Sequence, residues 1–335
     1  MEELRTDPIT GRKVLISEGR AARPNDLVAH VESQAQHSAA ANNCPFCTGA
    51  EQRTLSPHQE VLDEEGRWQL RVIPNKYPAV TTQSSVEKQN GILPPLSHPE
   101  KSYGEHEVII ESPCHVRDIT EVSVEQLTTV LQVYRDRLQH WSNDQRMRYV
   151  QIYKNYGYAA GASLEHIHSQ VLALPFVPAT IERELQGAGH HYREHQSCAF
   201  CDLLEQEFDQ RTRLVAKEGQ FVAFCAYAGR QPYETWLMPV THQSDYRELT
   251  DEQAWSLAIM LNQLLNKLHV LVPQLSYNLI LHTTPFKDSD PNHYHWHFEI
   301  VPRSTRLSGF EWGTGLFINP LSPESAAKIL RETKV

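Results

Sequence analysis

No stretch of this sequence approaches the roughly 18 consecutive apolar residues that a membrane-crossing helix needs. Its amino-terminal MEELRTDPITG also lacks the basic segment and apolar run of a secretory leader, so a soluble, cytoplasmic protein with no membrane partner is expected. Positive charge is scarce as well. With 31 Lys+Arg against 41 Asp+Glu, the formal charge is −10, the wrong sign for a protein that neutralises a nucleic-acid backbone. A small phosphorylated ligand, held by a few local arginines, remains compatible with that balance. The 40% hydrophobic and 21% charged content excludes disordered and fibrous classes, and 335 residues suffice for two domains or one unit built twice.

Histidine and paired cysteine are what the chain has in abundance: 18 histidines, and six cysteines of which four form C-x-x-C pairs, Cys44/Cys47 and Cys198/Cys201. In a reducing compartment this spacing points to metal binding or redox chemistry before a disulfide framework. Cys44 follows the polar tract SAAANN rather than opening a helix after a strand, which favours a metal knuckle. Cys114 and Cys225 stand alone and are expected to be inert buried thiols.

A repeat lies in the spacing. Sliding the chain by 127 positions lays HEVIIESPCH, ending at His115, over YETWLMPVTH, ending at His242. Asp118 then falls on Asp245, and Glu125-Gln126 on Glu252-Gln253, at the start of two helical patterns over 124–140 and 251–268. Ser123 with Gln126, and Thr250 with Gln253, read as capping boxes. Each helix precedes a β-rich strand (149–153; 277–282), a polar loop and a histidine-rich strand, HIHSQVLALP from His166 and HYHWHFEIVP from His293. The pattern predicts an α+β fold, an antiparallel half-barrel sheet with one long helix across it, used twice. The halves are expected at 1–185 and 186–335, linked by the polar stretch 186–197.

Tetrahedral zinc is often held by a C-x-x-C knuckle and two distant histidines. Cys44, Cys47, His115 and His166 supply that set in the first half, and Cys198, Cys201, His242 and a histidine from 293–297 supply it in the second. Two structural zinc sites follow, the second open to another divalent metal. Residues i and i+2 of a strand share a face, so His166, His168 and Gln170 point the same way. With His166 fixed by metal, His168 becomes a rigid imidazole able to act as a covalent nucleophile, and Gln170 an amide donor to an anionic oxygen. The preceding turn, Gly161-Ala162-Ser163-Leu164, offers backbone N–H groups to phosphate.

Together CPFC, SEGRAARP, RVIPNKYPA, SPCH, YKNYG and GASLEHIHSQ resemble the galactose-1-phosphate uridylyltransferase family, a branch of the histidine-triad superfamily with two fused histidine-triad-like halves. The resemblance runs from about residue 5 to 330. It implies double displacement: His168 takes the nucleotide from a UDP-hexose, releasing sugar 1-phosphate, and passes it to a second sugar 1-phosphate, as in galactose and nucleotide-sugar metabolism. It also implies that Gln170 and Ser163 contact the transferred phosphoryl group, Asn75 and Asn155 hold the nucleotide, and Arg20 and Arg23 meet the phosphates or sugar. Family members commonly form homodimers in which a C-terminal segment helps complete the site.

Two departures qualify this. In SGFEWGTGLFINP, Thr314 and Gly315 stand where the uridylyltransferases proper carry a tyrosine-glutamate pair. The stretch is more similar to the ADP-glucose phosphorylase branch, with inorganic phosphate as acceptor; Phe310 and Glu311 would then line the sugar or phosphate end. Secondly, His293, His295 and His297 fit a plain triad, so a hydrolase centred on His295 is an alternative, as is a zinc-stabilised nucleotide-binding module without chemistry. Against the hydrolase, Glu299 holds the place of Gln170 and repels phosphate, and Asp288 and Asp290 lie just upstream. Aligning IVPR with LALP sets His295, rather than His293, opposite His166 as the second zinc ligand. A variant metal set seen in some family members would use Glu182 or Glu184 with His282, His295 and His297; the retained cysteines favour the Cys/Cys/His/His set.

Overall fold

The computed structural model describes residues 2–22, 43–82, 102–287 and 292–335. In the first half the strands are β1 (Glu2–Thr6), β2 (Lys13–Ser17), β3 (Gln59–Leu62), β4 (Trp68–Pro74), β5 (Glu105–Ile110), β6 (Tyr149–Tyr156) and β7 (His168–Leu174), with helix α1 (Val124–Ser142) between β5 and β6. Helices α2 (Ala179–His195) and α3 (Ala199–Gln210) follow. The second half runs β8 (Leu214–Glu218), β9 (Phe221–Cys225), β10 (Thr235–Pro239), α4 (Asp251–Leu271), β11 (Tyr277–His282) and β12 (His297–Pro302), then α5 (Gly309–Thr314), β13 (Phe317–Asn319) and α6 (Pro323–Glu332).

Among the described residues the strands form one ten-stranded sheet in the order β3-β4-β5-β7-β6-β11-β12-β10-β9-β8, antiparallel at every pairing, plus a small sheet β1-β2-β13. Read outward from its centre, the large sheet is one five-strand unit met twice, with β6 against β11 at the seam. The boundary expected at 185/186 falls inside α2, and the polar stretch expected as a link is helical to His195.

Helix α4 repeats apolar residues at 254, 257, 258, 261, 264, 265 and 268, a stripe that packs against the sheet and against α1. Each large aliphatic side chain buried there contributes roughly 1.5–3 kcal/mol. Thr250 and Gln253 make the reciprocal cap of α4, and Val272, extended before Pro273, ends it. The cap of α1 differs from expectation. Ser123 accepts from the Gln126 backbone, but the Gln126 side chain turns away to the carbonyls of Gln69 and Glu111, because those strand ends offer acceptors within reach.

Strand alternation sorts the sheet into two faces. Leu70, Val72, Ile109, Val150, Ile152, Val171, Ala173, Leu279, Leu281, Phe298 and Ile300 form one core with α1 and α4. The opposite face therefore carries His106, Tyr153, Asn155, His168, Gln170, Asn278, His282, His297 and Glu299. The long helices build the core so that this polar face is left for chemistry.

Candidate active site and metal centres

Cys44, Cys47, His115 and His166 converge so that their ligand atoms all lie within 4.8 Å of one another. Cys47 Sγ is 3.3 Å from His115 Nδ1 and 3.6 Å from His166 Nδ1, and Cys44 Sγ is 3.5 Å from His166 Nδ1. Zinc–sulfur and zinc–nitrogen bonds of ordinary length at a tetrahedral angle give an edge of about 3.6 Å, so the donor set fits zinc. The buried His166 Nε2–H donates to the carbonyl of Ser112 at 2.9 Å, which leaves Nδ1 as the lone pair facing the sulfurs. Burial and the adjacent Cys44 sulfur push the Cys47 thiol up to about 11, a penalty that a cation between the sulfurs removes.

The second set repeats the first. Cys201 Sγ is 3.3 Å from His242 Nδ1 and 3.7 Å from His295 Nδ1, with Cys198 completing the group. His295, not His293, joins this cluster; His293 instead gives its backbone carbonyl to the Cys198 thiol. A hydrolase centred on His295 loses its nucleophile to this cluster. The variant set assembles only in part: Glu184, His282 and His297 meet, but with Glu299 rather than His295, while Glu182 is exposed. Cys225 is buried as expected; Cys114 is exposed, because the loop after β5 turns it outward beside His115.

His168 opens β7, 8% exposed, with Nδ1 2.7 Å from the carbonyl of His166. That carbonyl accepts only from an N–H, so Nδ1 carries the proton and Nε2 the lone pair. Burial holds the imidazole pKa below its ordinary value, which keeps it neutral near pH 7. The Phe46 ring meets His168 edge-on at 5.6 Å, placing the Cys44/Cys47 turn against the nucleophile candidate. From the core side, the buried Lys154 ammonium donates to the His168 carbonyl at 2.8 Å and to Glu111 at 2.6 Å. Glu111 also accepts from Ser169 and Tyr134.

Gln170 sits two residues on, on the same face. Its Oε1 lies 2.8 Å from His106 Nε2 and accepts from the Tyr153 hydroxyl at 3.1 Å. Asn75 leans on His106, with Nδ2 at 3.2 Å from its Nε2, and its Oδ1 accepts from the Tyr77 amide. Asn155 pairs across the seam with Asn278 of the second half. Arg303 Nε donates to Asn278 Oδ1 at 2.5 Å, and Asn278 Nδ2 donates to Asn155 Oδ1 at 2.7 Å, so the Asn155 amide nitrogen is turned toward Gly161.

The turn at Gly161 only partly meets expectation. Gly161 is left-handed (φ 86°) and closes a short helical turn over Tyr158–Ala160. Its N–H goes to the Tyr158 carbonyl and that of Ala162 to Gly157, so these two amides are spent within the turn. Among the described residues the N–H groups of Ser163 and Leu164 make no hydrogen bond and face no such competition. Leu164 packs beside Cys44 and Phe46. Arg20 and Glu311 lie near one another, and Glu311 caps α5 by accepting from the backbone and hydroxyl of Ser308. Among the described residues no hydrogen bond or ion pair joins Arg20, Phe310 or Glu311 to His168 or Gln170; Arg23, Asp288 and Asp290 lie outside them.

Sequence reading missed His106, Tyr153, Lys154, Glu111, Asn278 and Arg303. Alternation gives the face of His106 on β5, but only the register of β5 and β6 on β7 brings it and Tyr153 to Gln170.

This arrangement has relatives. A sequence model described as the N-terminal domain of galactose-1-phosphate uridyl transferase matches residues 1–178, and one of a domain of unknown function matches 104–333. An ADP-glucose phosphorylase of Arabidopsis thaliana is 34% identical over 99% of this chain and 93% of its own length. A galactose-1-phosphate uridylyltransferase of Thermotoga maritima is 29% identical over 100% of this chain and 99% of its own. The crystal structure of an Arabidopsis thaliana ADP-glucose phosphorylase with bound ADP-glucose superposes with a TM-score of 0.85 at 33% identity, covering 100% of both chains. With half of the chain inside the family's own model and a relative this similar along nearly all of it, the protein belongs to the galactose-1-phosphate uridylyltransferase family and is a nucleotidyltransferase.

Proposed function

We propose that the protein moves the nucleoside monophosphate of an ADP-sugar onto inorganic phosphate through a nucleotidyl-His168 intermediate. The observation that carries this is the imidazole of His168, whose Nδ1–H is tied to the His166 carbonyl while Nε2 keeps its lone pair. Nε2 attacks the α-phosphorus, the bond to the bridging oxygen breaks, and that oxygen leaves with the sugar 1-phosphate. Phosphate then attacks the same phosphorus, the nitrogen–phosphorus bond breaks, and the nucleoside diphosphate departs. Charge grows on the non-bridging oxygens as each bond forms and breaks, so apart from the one bond to His168 the catalysis is positioning and hydrogen-bond donation to those oxygens. Gln170 and the N–H groups of Ser163 and Leu164, unbonded among the described residues, serve as those donors, with Asn75 and Asn155 on the nucleotide. Arg20, Arg23 and Phe310 are assigned to the sugar or phosphate end, while Glu311 positions α5.

The two Cys/Cys/His/His sets would hold zinc, which supplies structural cross-linking; the first fixes His166 and, through its carbonyl, the His168 ring. Phosphate as acceptor is supported by Thr314 and Gly315 in the C-terminal stretch and by likeness along the whole chain to ADP-glucose phosphorylase. Uridylyl transfer between sugar 1-phosphates is the second reading, favoured by the family model over residues 1–178. A matrix of UDP-, ADP- and GDP-hexoses against phosphate and sugar 1-phosphates tests the choice. ADP-glucose with phosphate should give ADP and glucose 1-phosphate at the highest kcat/KM; a UDP-hexose with a sugar 1-phosphate running ten-fold faster overturns it.

A further inference from the structure

We propose that His106 is a positioning residue for nucleotidyl transfer: with Tyr153 it locks the Gln170 carboxamide so that its N–H2 group, not its oxygen, meets the phosphoryl group. This rests on the proposed reaction at His168. A backbone N–H can only donate, and one of them fixes the His106 tautomer. The backbone N–H of Ala79 points at His106 Nδ1 at 3.2 Å, so Nδ1 must be the accepting nitrogen. A neutral imidazole has one of each, and Nε2 therefore carries the hydrogen. Nε2 lies 2.8 Å from Gln170 Oε1, and this N–H fixes which end of the amide faces it. The turned amide would set N–H2 against N–H, a donor facing a donor. The Tyr153 hydroxyl, 3.1 Å from the same oxygen, donates to it as well. Both lone pairs of Oε1 are then used, and among the described residues Gln170 Nε2 has no partner of its own.

His106 is 6% exposed, and burial holds its imidazole below the usual range, in the neutral form that the Ala79 contact demands. Asn75 Nδ2, 3.2 Å from Nε2, cannot be hydrogen-bonded to a nitrogen that already carries a proton; it packs against the ring edge and stays available to a ligand. An amide presenting oxygen to a phosphoryl group would repel it, so a lost lock converts a donor into a partial anion for part of the time.

Single-turnover formation of nucleotidyl-enzyme from a nucleotide sugar, measured by rapid quench on the full chain, tests this through a double-mutant cycle. Gln170→Ala should slow the step about 10²-fold. His106→Phe, which fills the volume without the donor, should slow it about ten-fold, with half-saturation moved less than about three-fold. His106→Gln, whose amide nitrogen reaches toward the place of Nε2, should recover most of the rate. In the Gln170→Ala background, His106→Phe should add nothing. Multiplying effects in the double variant, or a His106→Phe enzyme as fast as wild type, overturns the lock while leaving the reaction standing. A wild-type protein that forms no adduct with any nucleotide sugar removes the reaction, and this inference with it.

Discussion

The two histidine-rich strands β7 and β12 share a backbone and part in chemistry. Each begins with a histidine whose Nδ1 donates to the carbonyl two residues back, 2.7 Å at His168 and 3.1 Å at His297, and each of those carbonyls belongs to a histidine turned toward a cysteine pair. Beyond that the surroundings diverge. His168 looks past Phe46 to a neutral Gln170, whereas His297 is sealed, stacked on Trp236 at 4.6 Å with His282 and Glu184 around it. Glu299 replaces Gln170, and Arg230 reaches its carboxylate at 2.5 Å. Burial alone would raise the Glu299 pKa; the Arg230 guanidinium and His282 outweigh it and hold it ionised. A phosphate there would meet the buried carboxylates of Glu184 and Glu299. On the proposed reading, duplication kept the Cys/Cys/His/His cluster twice and the reactive face once. The second copy serves the first from across the seam, through Asn278 and Arg303.

Exchanging roles is the sharpest way to break this comparison. His168→Ala should reduce turnover at least about 10³-fold, while His297→Gln should leave it within about five-fold and register instead as a lower Tm. Steady-state kinetics beside thermal melts decide it; equal losses in both variants would end the distinction.

Next come the residues two positions on. Gln170→Glu places an anion against the phosphoryl group and should slow transfer about 10²–10³-fold. Glu299→Gln should leave the rate within about three-fold yet destabilise the fold by about 1–3 kcal/mol, because the buried Arg230 loses one of two ionised partners and keeps Glu234. Denaturant unfolding of both variants provides the measurement.

The two cysteine sets should separate in the same way. Cys44→Ser and Cys201→Ser should each remove about one zinc per chain by ICP-MS, since zinc binding free energy is folding free energy. Only Cys44→Ser should also slow nucleotidyl transfer, because only His166 holds His168. Unchanged metal content in either variant would remove that site.

The smallest effect is expected at the seam. Arg303→Leu removes one of the bonds that orient Asn278, which keeps its bond to the Ala160 carbonyl, and so loosens Asn155 only in part; half-saturating nucleotide sugar should rise several-fold, about 1 kcal/mol, with kcat little changed. Initial-rate kinetics suffice.

Much of this was legible in the sequence, and for identifiable reasons. The offset from His115 to His242 showed the duplication because each half repeats one order of knuckle, strand, helix and His strand, and helix starts were marked by Ser123 and Thr250. The two Cys/Cys/His/His clusters emerged because thiols and imidazoles at fixed spacing have few other uses. What escaped was register. Alternation puts His106, Tyr153 and Asn278 on the working face, yet nothing local says which residue of β5, β6 or β11 stands opposite Gln170 or Asn155. Buried support was also hidden: Lys154 and Glu111 look like ordinary strand charges until the chain closes around them. The spent amides of Gly161 and Ala162 show the converse limit, since a small-residue turn advertises free N–H groups that its own carbonyls then claim.

The most direct test of one working copy is to incubate the wild-type protein with ADP-glucose or UDP-glucose without acceptor, and to map the product by mass spectrometry at alkaline pH, where a phosphoramidate survives. One nucleoside monophosphate per chain on the peptide bearing His168, absent in His168→Ala, is expected. No adduct from either sugar nucleotide, or an adduct on the peptide bearing His297, would contradict it.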